Sequence, residues 1–176
     1  MPFDRIDLEI LKILQEDSRT PFTKIAEEVS KKLSGRNRLR EEQKIPDTTI
    51  HFRVRKLKET GVIKRFTIDV SPKMLGFETI GILKISVGGH ILKKISLSRA
   101  ERISSQLSNS PNIVFVGIGG DRLTIYAVVV AKDRNQFLNL VEDLRKNPDI
   151  DLIDYNLLAD IKKGEEVLKP LPVEVD

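Results

Sequence analysis

"IPDTTIHFRVRKLKETGVIKRF", residues 45–66, decides how the first half of this chain is read. It carries six Lys or Arg against two acids, Asp47 and Glu59, yet its apolar residues keep helical spacing. At about 100° per residue, Ile50, Val54 and Leu57 share one face, and Thr48, His51, Phe52 and Arg55 lie roughly opposite. One face is expected to be core and the other a polar reader. Pro46 and Asp47 open this third helix, with Asp47 the natural N-cap, and Gly61 stops it after Thr60. The following "VIKRFTIDV", residues 62–70, is alternating and β-branched and predicts a strand or hairpin.

Upstream, Ile6, Ile10, Ile13 and Leu14 recur at helical spacing and predict a first helix from Asp4 to Gln15. Thr20 and Pro21 make a helix start, and a second helix to about Leu33 would bury Phe22, Ile25, Ala26 and Val29. Between the second and third helices, "SGRNRLREEQK" (34–44) is polar and charged, an exposed loop or a short solvated helix. Three short helices and a basic strand compose a winged helix-turn-helix, although three amphipathic helices also form inert bundles. Charge weighs between these readings. The chain as a whole carries only +4, but residues 31–65 hold 12 basic against 4 acidic side chains. That is a local footprint for a polyanion such as double-stranded DNA.

At 176 residues, with 40% hydrophobic and 32% charged side chains, the chain suits one ordinary domain or two small ones. Its apolar runs fall short of the roughly 20 residues that span a bilayer, and "MPFDRIDLEI" has no signal-peptide pattern, so a cytoplasmic protein without a membrane partner is expected. There is no Cys, and two separated His make a metal site unexpected. No Ser/His/Asp spacing, P-loop or dinucleotide fingerprint occurs; "GIGGD" (117–121) leads into no phosphate-binding helix. Neither enzyme activity, catalytic residue nor cofactor is expected.

From residue 78 the texture changes. "ETIGILKISV" (78–87) predicts a strand, Ser98 to Asn109 a helix with Ile103 and Leu107 inward, and "NIVFVGI" and "LTIYAVVVA" two strands joined across "GGDR". Asp133 caps a helix holding Phe137, Leu138, Val141 and Leu144, and "DIDLIDYNLLADI" supplies the last strand. The order βαββαβ is that of a ferredoxin-like sandwich. The predicted class is therefore α+β, a winged helix-turn-helix followed by a ferredoxin-like domain. Its boundaries are 1–63 with a basic insertion at about 31–44, a strand or hairpin linker 64–77, the βαββαβ domain 78–161 and a tail 162–176. "LTIYAVVVA" is apolar on both faces, so self-association through the sheet is expected.

Taken together, "DRIDLEILKILQEDSRTPFTKIAEEV", "TTIHFRVRKLKETGVIKRF" and a βαββαβ domain with a Gly- and Asp-containing turn resemble the Lrp/AsnC, or feast/famine, regulators over nearly the whole chain. The string R-V-x-x-L-x-x-x-G-V-I, Arg53 to Ile63, is the most specific carrier. The resemblance implies a transcription regulator that dimerises through its C-terminal sheet and assembles further into tetramers or octamers. It also implies an amino acid or close analogue as effector, bound between dimers near the turn joining the two central strands, and control of amino-acid metabolism or transport. Three departures stand out: the insertion at 31–44, Phe52 where an Arg or polar residue is usual, and "GIGGDRL" lacking the family's Gly-x-x-Asp spacing.

The candidate DNA contacts are Thr48, Thr49, His51, Phe52, Arg53, Arg55 and Lys56 on the third helix, Lys64 and Arg65 after it, and Arg36, Arg38 and Arg40 in the insertion. Lys58 belongs to the same basic face. The plain alternatives are capping for the threonines and a solvated surface for the charges. Phe52 could meet a thymine methyl or turn inward, and inward packing is expected. The candidate effector residues are Gly119, Gly120, Asp121 and Arg122, a backbone cradle with a carboxylate for an ammonium group; Gly-Asp is equally ordinary hairpin chemistry. His90 reads as a loop residue. An architectural DNA-binding protein, whose C-terminal domain only drives assembly, is the alternative function.

Overall fold

The computed structural model describes residues 3–34, 44–88, 93–165, 168, 171 and 172. The chain divides into two compact units, 1–68 and 69–176, so the division falls inside the expected linker.

In the first unit α1 (Arg5–Glu16), α2 (Phe22–Ser34) and α3 (Asp47–Glu59) enclose one core. Ile10, Ile13, Leu14, Ile25, Ala26, Val29, Ile50, Val54 and Leu57 are all buried. These are the inward positions that the spacing predicts. Burying each Ile, Leu or Val stabilises by about 1.5–3 kcal/mol, and that burial holds three helices too short to persist alone. A capping box starts α1: the Asp4 carboxylate accepts the Asp7 N–H at 2.9 Å, and Asp7 accepts the Asp4 N–H at 3.2 Å. α3 opens differently from expectation. Pro46 holds the cap position without a side-chain bond, and Asp47 is the first helical residue, its carboxylate accepting the Thr48 N–H. Pro46 has a cap-compatible extended backbone, which puts Asp47 one residue inside. Gly61, at φ 75°, ends the helix as predicted. Beyond it the Ile63 N–H bonds the Leu57 carbonyl, seating Ile63 against the core.

The strand expected over residues 62–70 is instead a bend at Val62 and Ile63 followed by irregular chain; it joins no sheet among the described residues. Alternation fits a residue run for a sheet, but a strand also needs a neighbouring backbone in register.

The second unit follows the predicted order: β1 (Thr79–Val87), α4 (Lys93–Ser108), β2 (Ile113–Ile118), β3 (Thr124–Ala131), α5 (Arg134–Arg145) and β4 (Ile150–Leu158). α4 begins at Lys93, five residues before its expected start. The sheet order is β2-β3-β1-β4, every pair antiparallel. Leu83, Ile85 and Val87 of β1 and Ile125, Ala127 and Val129 of β3 face the helices, meeting Ala100, Ile103 and Leu107 of α4 and Phe137 and Val141 of α5. Gly81 is required by this packing, because a Cβ there would lie 2.4 Å from the Phe137 ring. On the opposite face Ile82 pairs with Val128 and Lys84 with Tyr126, and Phe115 is also opposite Val128. Ile82, Tyr126, Phe115 and Leu152 are exposed there, leaving an apolar surface bare.

Candidate functional site

The outer face of α3 is assembled from residues that the core does not use. Thr48, His51, Phe52, Arg55 and Lys56 are exposed, Thr49 is half-buried, and Ile50, Val54 and Leu57 anchor the helix from behind. Phe52 does not turn inward. It is 55% exposed, with the Arg55 guanidinium over its ring at 5.5 Å. The inner stripe is filled by Ile50, Val54 and Leu57, so a residue two positions after Ile50 points away from it. Arg55 also approaches Glu59 at 3.7 Å, and both ends of that pair are exposed. His51 packs edge-on against Phe22 of α2, with centroids 5.5 Å apart. Lys64 and Arg65 are exposed just beyond the helix, and the Lys58 ammonium lies 6.0 Å from the Phe66 ring.

Arg53 stands apart from this set. Its Nη1 donates to Asp4 at 2.7 Å and to Asp7 at 2.8 Å, and its side chain is 24% exposed. The guanidinium therefore ties α3 to the capping box of α1. Burial raises the Asp4 pKa, but the Asp7 N–H and the Arg53 guanidinium outweigh it and hold the carboxyl below its ordinary value. Burial likewise lowers the Arg53 pKa, and its bonds to Asp7 and Asp4 more than reverse this. Arg53, unlike the exposed candidates, therefore has its charge met by two carboxylates within the fold. A second anchor is Ser30 of α2, whose Oγ accepts the Ile45 N–H at 2.9 Å and donates to the Ala26 carbonyl. The chain re-entering before α3 is thereby pinned to α2. Both anchors link positions distant in sequence, which periodicity does not reveal; only the D-x-x-D spacing of Asp4 and Asp7 carried a local signal, for the capping box. Arg36, Arg38, Arg40 and His90 lie outside the described residues.

The turn between β2 and β3 brings Gly119, Gly120, Asp121 and Arg122 together. Gly119 donates to the Thr124 carbonyl at 2.7 Å, and Arg122 donates to Gly119 at 2.9 Å from a left-handed backbone, φ 61°. One Asp121 carboxylate oxygen accepts the N–H groups of Leu123 and Thr124, and the other accepts the Thr124 hydroxyl at 2.6 Å. The Thr124 hydroxyl, then the Thr124 and Leu123 N–H groups, lower the Asp121 pKa. The Asp121 carboxylate is thus engaged within its own turn, the hairpin role that the sequence offered beside the effector role.

Among the described residues no group of three or more His, Cys, Asp or Glu could hold a metal, and no helix is long and apolar enough to cross a membrane.

Residues 3–32 match the AsnC-type helix-turn-helix domain, and residues 78–170 match the PF0864 C-terminal dimeric alpha+beta barrel domain. The chain is 33% identical over 148 residues to the HTH-type transcriptional regulator FL11 of Pyrococcus horikoshii, covering 80% of this chain and 81% of that protein. Among solved structures, the transcriptional regulatory protein PF0864 of Pyrococcus furiosus superposes with a TM-score of 0.74 at 28% identity, covering 94% of this chain and 96% of that one. The L-Met complex of the regulator NMB0573 from Neisseria meningitidis shares the fold, with a TM-score of 0.74 at 16% identity over 97% of both chains. The chain belongs to the Lrp/AsnC family of helix-turn-helix transcriptional regulators.

Proposed function

We infer that this regulator reads its operator with the outer face of α3 and works as a homodimer formed through the bare face of its C-terminal sheet. The observation that carries the reading is the division of α3 into a buried stripe of Ile50, Val54 and Leu57 and an exposed set of Thr48, His51, Phe52, Arg55 and Lys56. Thr48, Thr49, His51, Phe52 and Arg55 face base edges in the major groove, while Lys56, Lys64 and Arg65 meet phosphates. Phe52 offers an apolar surface to a thymine methyl. Arg36, Arg38 and Arg40 add phosphate contacts from the insertion. A two-fold dimer presents two copies of α3, so the operator has paired half-sites. Ile82, Tyr126 and Phe115 give the dimer its apolar contact, and the matched domain is described as dimeric.

The effector in this reading is an amino acid or close analogue bound at the turn Gly119 to Arg122, between dimers in a tetramer or octamer, and the genes controlled serve amino-acid metabolism or transport. NMB0573, a neighbour in fold, forms a complex with L-Met, which supports the class of ligand. A ligand far from α3 alters DNA binding only by favouring one assembly or dimer geometry over another. The engaged state of Asp121 favours the second reading, an architectural DNA binder whose C-terminal domain serves assembly alone.

Two measurements test this. Fluorescence anisotropy with fragments of the source genome, at several salt concentrations, should find sites bound at least 10³-fold more tightly than random DNA. Uniform affinity for all fragments would support the architectural reading. Titration calorimetry with the common amino acids and β-amino acids should find one that binds in the micromolar to millimolar range, and silence across the set would remove the effector.

A further inference from the structure

A cavity of about 590 Å³ opens on the second unit beside the N-terminal half of α4, lined by Ile95, Ser98, Arg99, Arg102 and Asp149. The volume lies within the range of small-molecule pockets. Asp149 precedes β4, is nearly buried, and receives both guanidinium groups: Arg99 approaches one carboxylate oxygen at 3.1 Å, and Arg102 bonds the other. No second acid pairs with either arginine among the described residues. Two positive charges thus share one negative, and one guanidinium suffices to neutralise Asp149. Each guanidinium carries five N–H donors, so most donors of the pair remain for a further acceptor. The Ser98 hydroxyl is spent on the Ile95 carbonyl, which leaves the arginines as the anion-binding groups and Ile95 as an apolar wall.

We propose that this cavity binds a small organic monocarboxylate, its carboxylate held by Arg99 and Arg102 and its short aliphatic chain against Ile95. The Arg fork matches a carboxylate in shape, and the surplus of one positive charge matches it in number. Asp149 serves as a positioning residue that fixes both forks. The site stands independently of the turn at Gly119 to Arg122 and remains if that turn binds nothing. The end of β1 lies between the two. The Val87 N–H bonds the Leu123 carbonyl, beside the turn, and the next residue, Gly88, bonds the Asp149 carbonyl at 2.9 Å.

The test uses the full chain and titration calorimetry at constant ionic strength, with valerate, its neutral amide valeramide, and inorganic phosphate as probes. Valerate should bind in the millimolar range or tighter, valeramide at least tenfold more weakly, and phosphate more weakly than valerate. Arg102→Gln, at an exposed side chain, should weaken valerate tenfold or more, whereas Lys24→Gln, exposed in the other unit, should leave it unchanged. Arg99→Lys keeps the charge, loses the fork, and should weaken valerate as well; it decides the matter if Arg102→Gln fails to fold. Absence of valerate binding up to about 20 mM, binding of valerate by both arginine variants as tight as by the parent, or tighter binding of phosphate than of valerate would each overturn the proposal.

Discussion

Replacing Arg53 by Ala should destabilise the helical unit while leaving the salt dependence of DNA binding unchanged. Arg53 makes two charged hydrogen bonds from one nitrogen, at 2.7 Å to Asp4 and 2.8 Å to Asp7. Hydrogen bonds to charged groups are worth about 1.5–3 kcal/mol when buried, and exposed ion pairs about 0.2–1 kcal/mol. The Asp4 side chain is 53% exposed and that of Asp7 only 16%, so the first bond falls in the lower range and the second nearer the higher. Together they contribute about 2 kcal/mol, which for a unit of this size lowers its melting temperature by about 8–16 °C. Helix loss followed by circular dichroism at 222 nm measures this. The bond to Asp4 has a pH signature. The folded Asp4 pKa is depressed, so its contribution is fully present above the ordinary carboxyl value of 3.8 and is lost as pH falls through the lower folded value. The parent and Arg53→Ala should therefore converge in stability in that acid range. Because both bonds leave one nitrogen, Arg53→Lys should recover part of the loss. A phosphate-contacting Arg53 gives the opposite result: unchanged melting with a salt slope reduced by about one unit. That outcome would refute the assignment.

The remaining expectations concern the other face of α3, the turn and the sheet. Arg55→Ala should cost about 1–3 kcal/mol of specific DNA binding without lowering stability, and Lys64→Ala or Arg65→Ala should each reduce the salt slope by about one unit, both read by anisotropy. Asp121→Ala should lower the melting temperature, since three donors of its turn lose their acceptor, while Asp121→Asn keeps part of the network; unchanged melting of the Ala variant would show that the carboxylate does not hold the hairpin. Gly81→Ala should destabilise the second unit by about 1–3 kcal/mol in chemical denaturation, because its Cβ would meet the Phe137 ring at 2.4 Å, and Phe137→Leu in the same chain should restore part of the loss.

Most of the architecture was legible from local pattern. A 3.6-residue period marked the three helices, and each residue predicted to line the core of the helical unit is buried or packed against it, Phe22 being half-buried. Alternation with turn chemistry marked the order βαββαβ, and Gly61 and Asp133 end or begin helices as their backbone and side-chain chemistry dictates. The candidate site was legible only as a face. Spacing placed Phe52 and Arg53 on α3, but the inward packing expected of Phe52 does not occur, and spacing carried no sign of the Asp4 and Asp7 partners of Arg53.

The sequence by itself determined the three helices and the order βαββαβ, which helix carries the basic outer face, and that one side of the sheet would be apolar and bare, because these depend on neighbours within a turn or two of chain; the strand expected over 62–70 found no partner. Only the tertiary structure decided how individual charges are used. Arg53 meets carboxylates 46 and 49 residues away, and Arg99 and Arg102 converge on Asp149 across the sandwich. Asp121 turns out to serve its own hairpin. The physical reason is that a cation on an amphipathic helix has the same local pattern whether solvent, nucleic acid or a distant carboxylate faces it. Its partner is fixed only when folding brings remote chain into hydrogen-bonding distance.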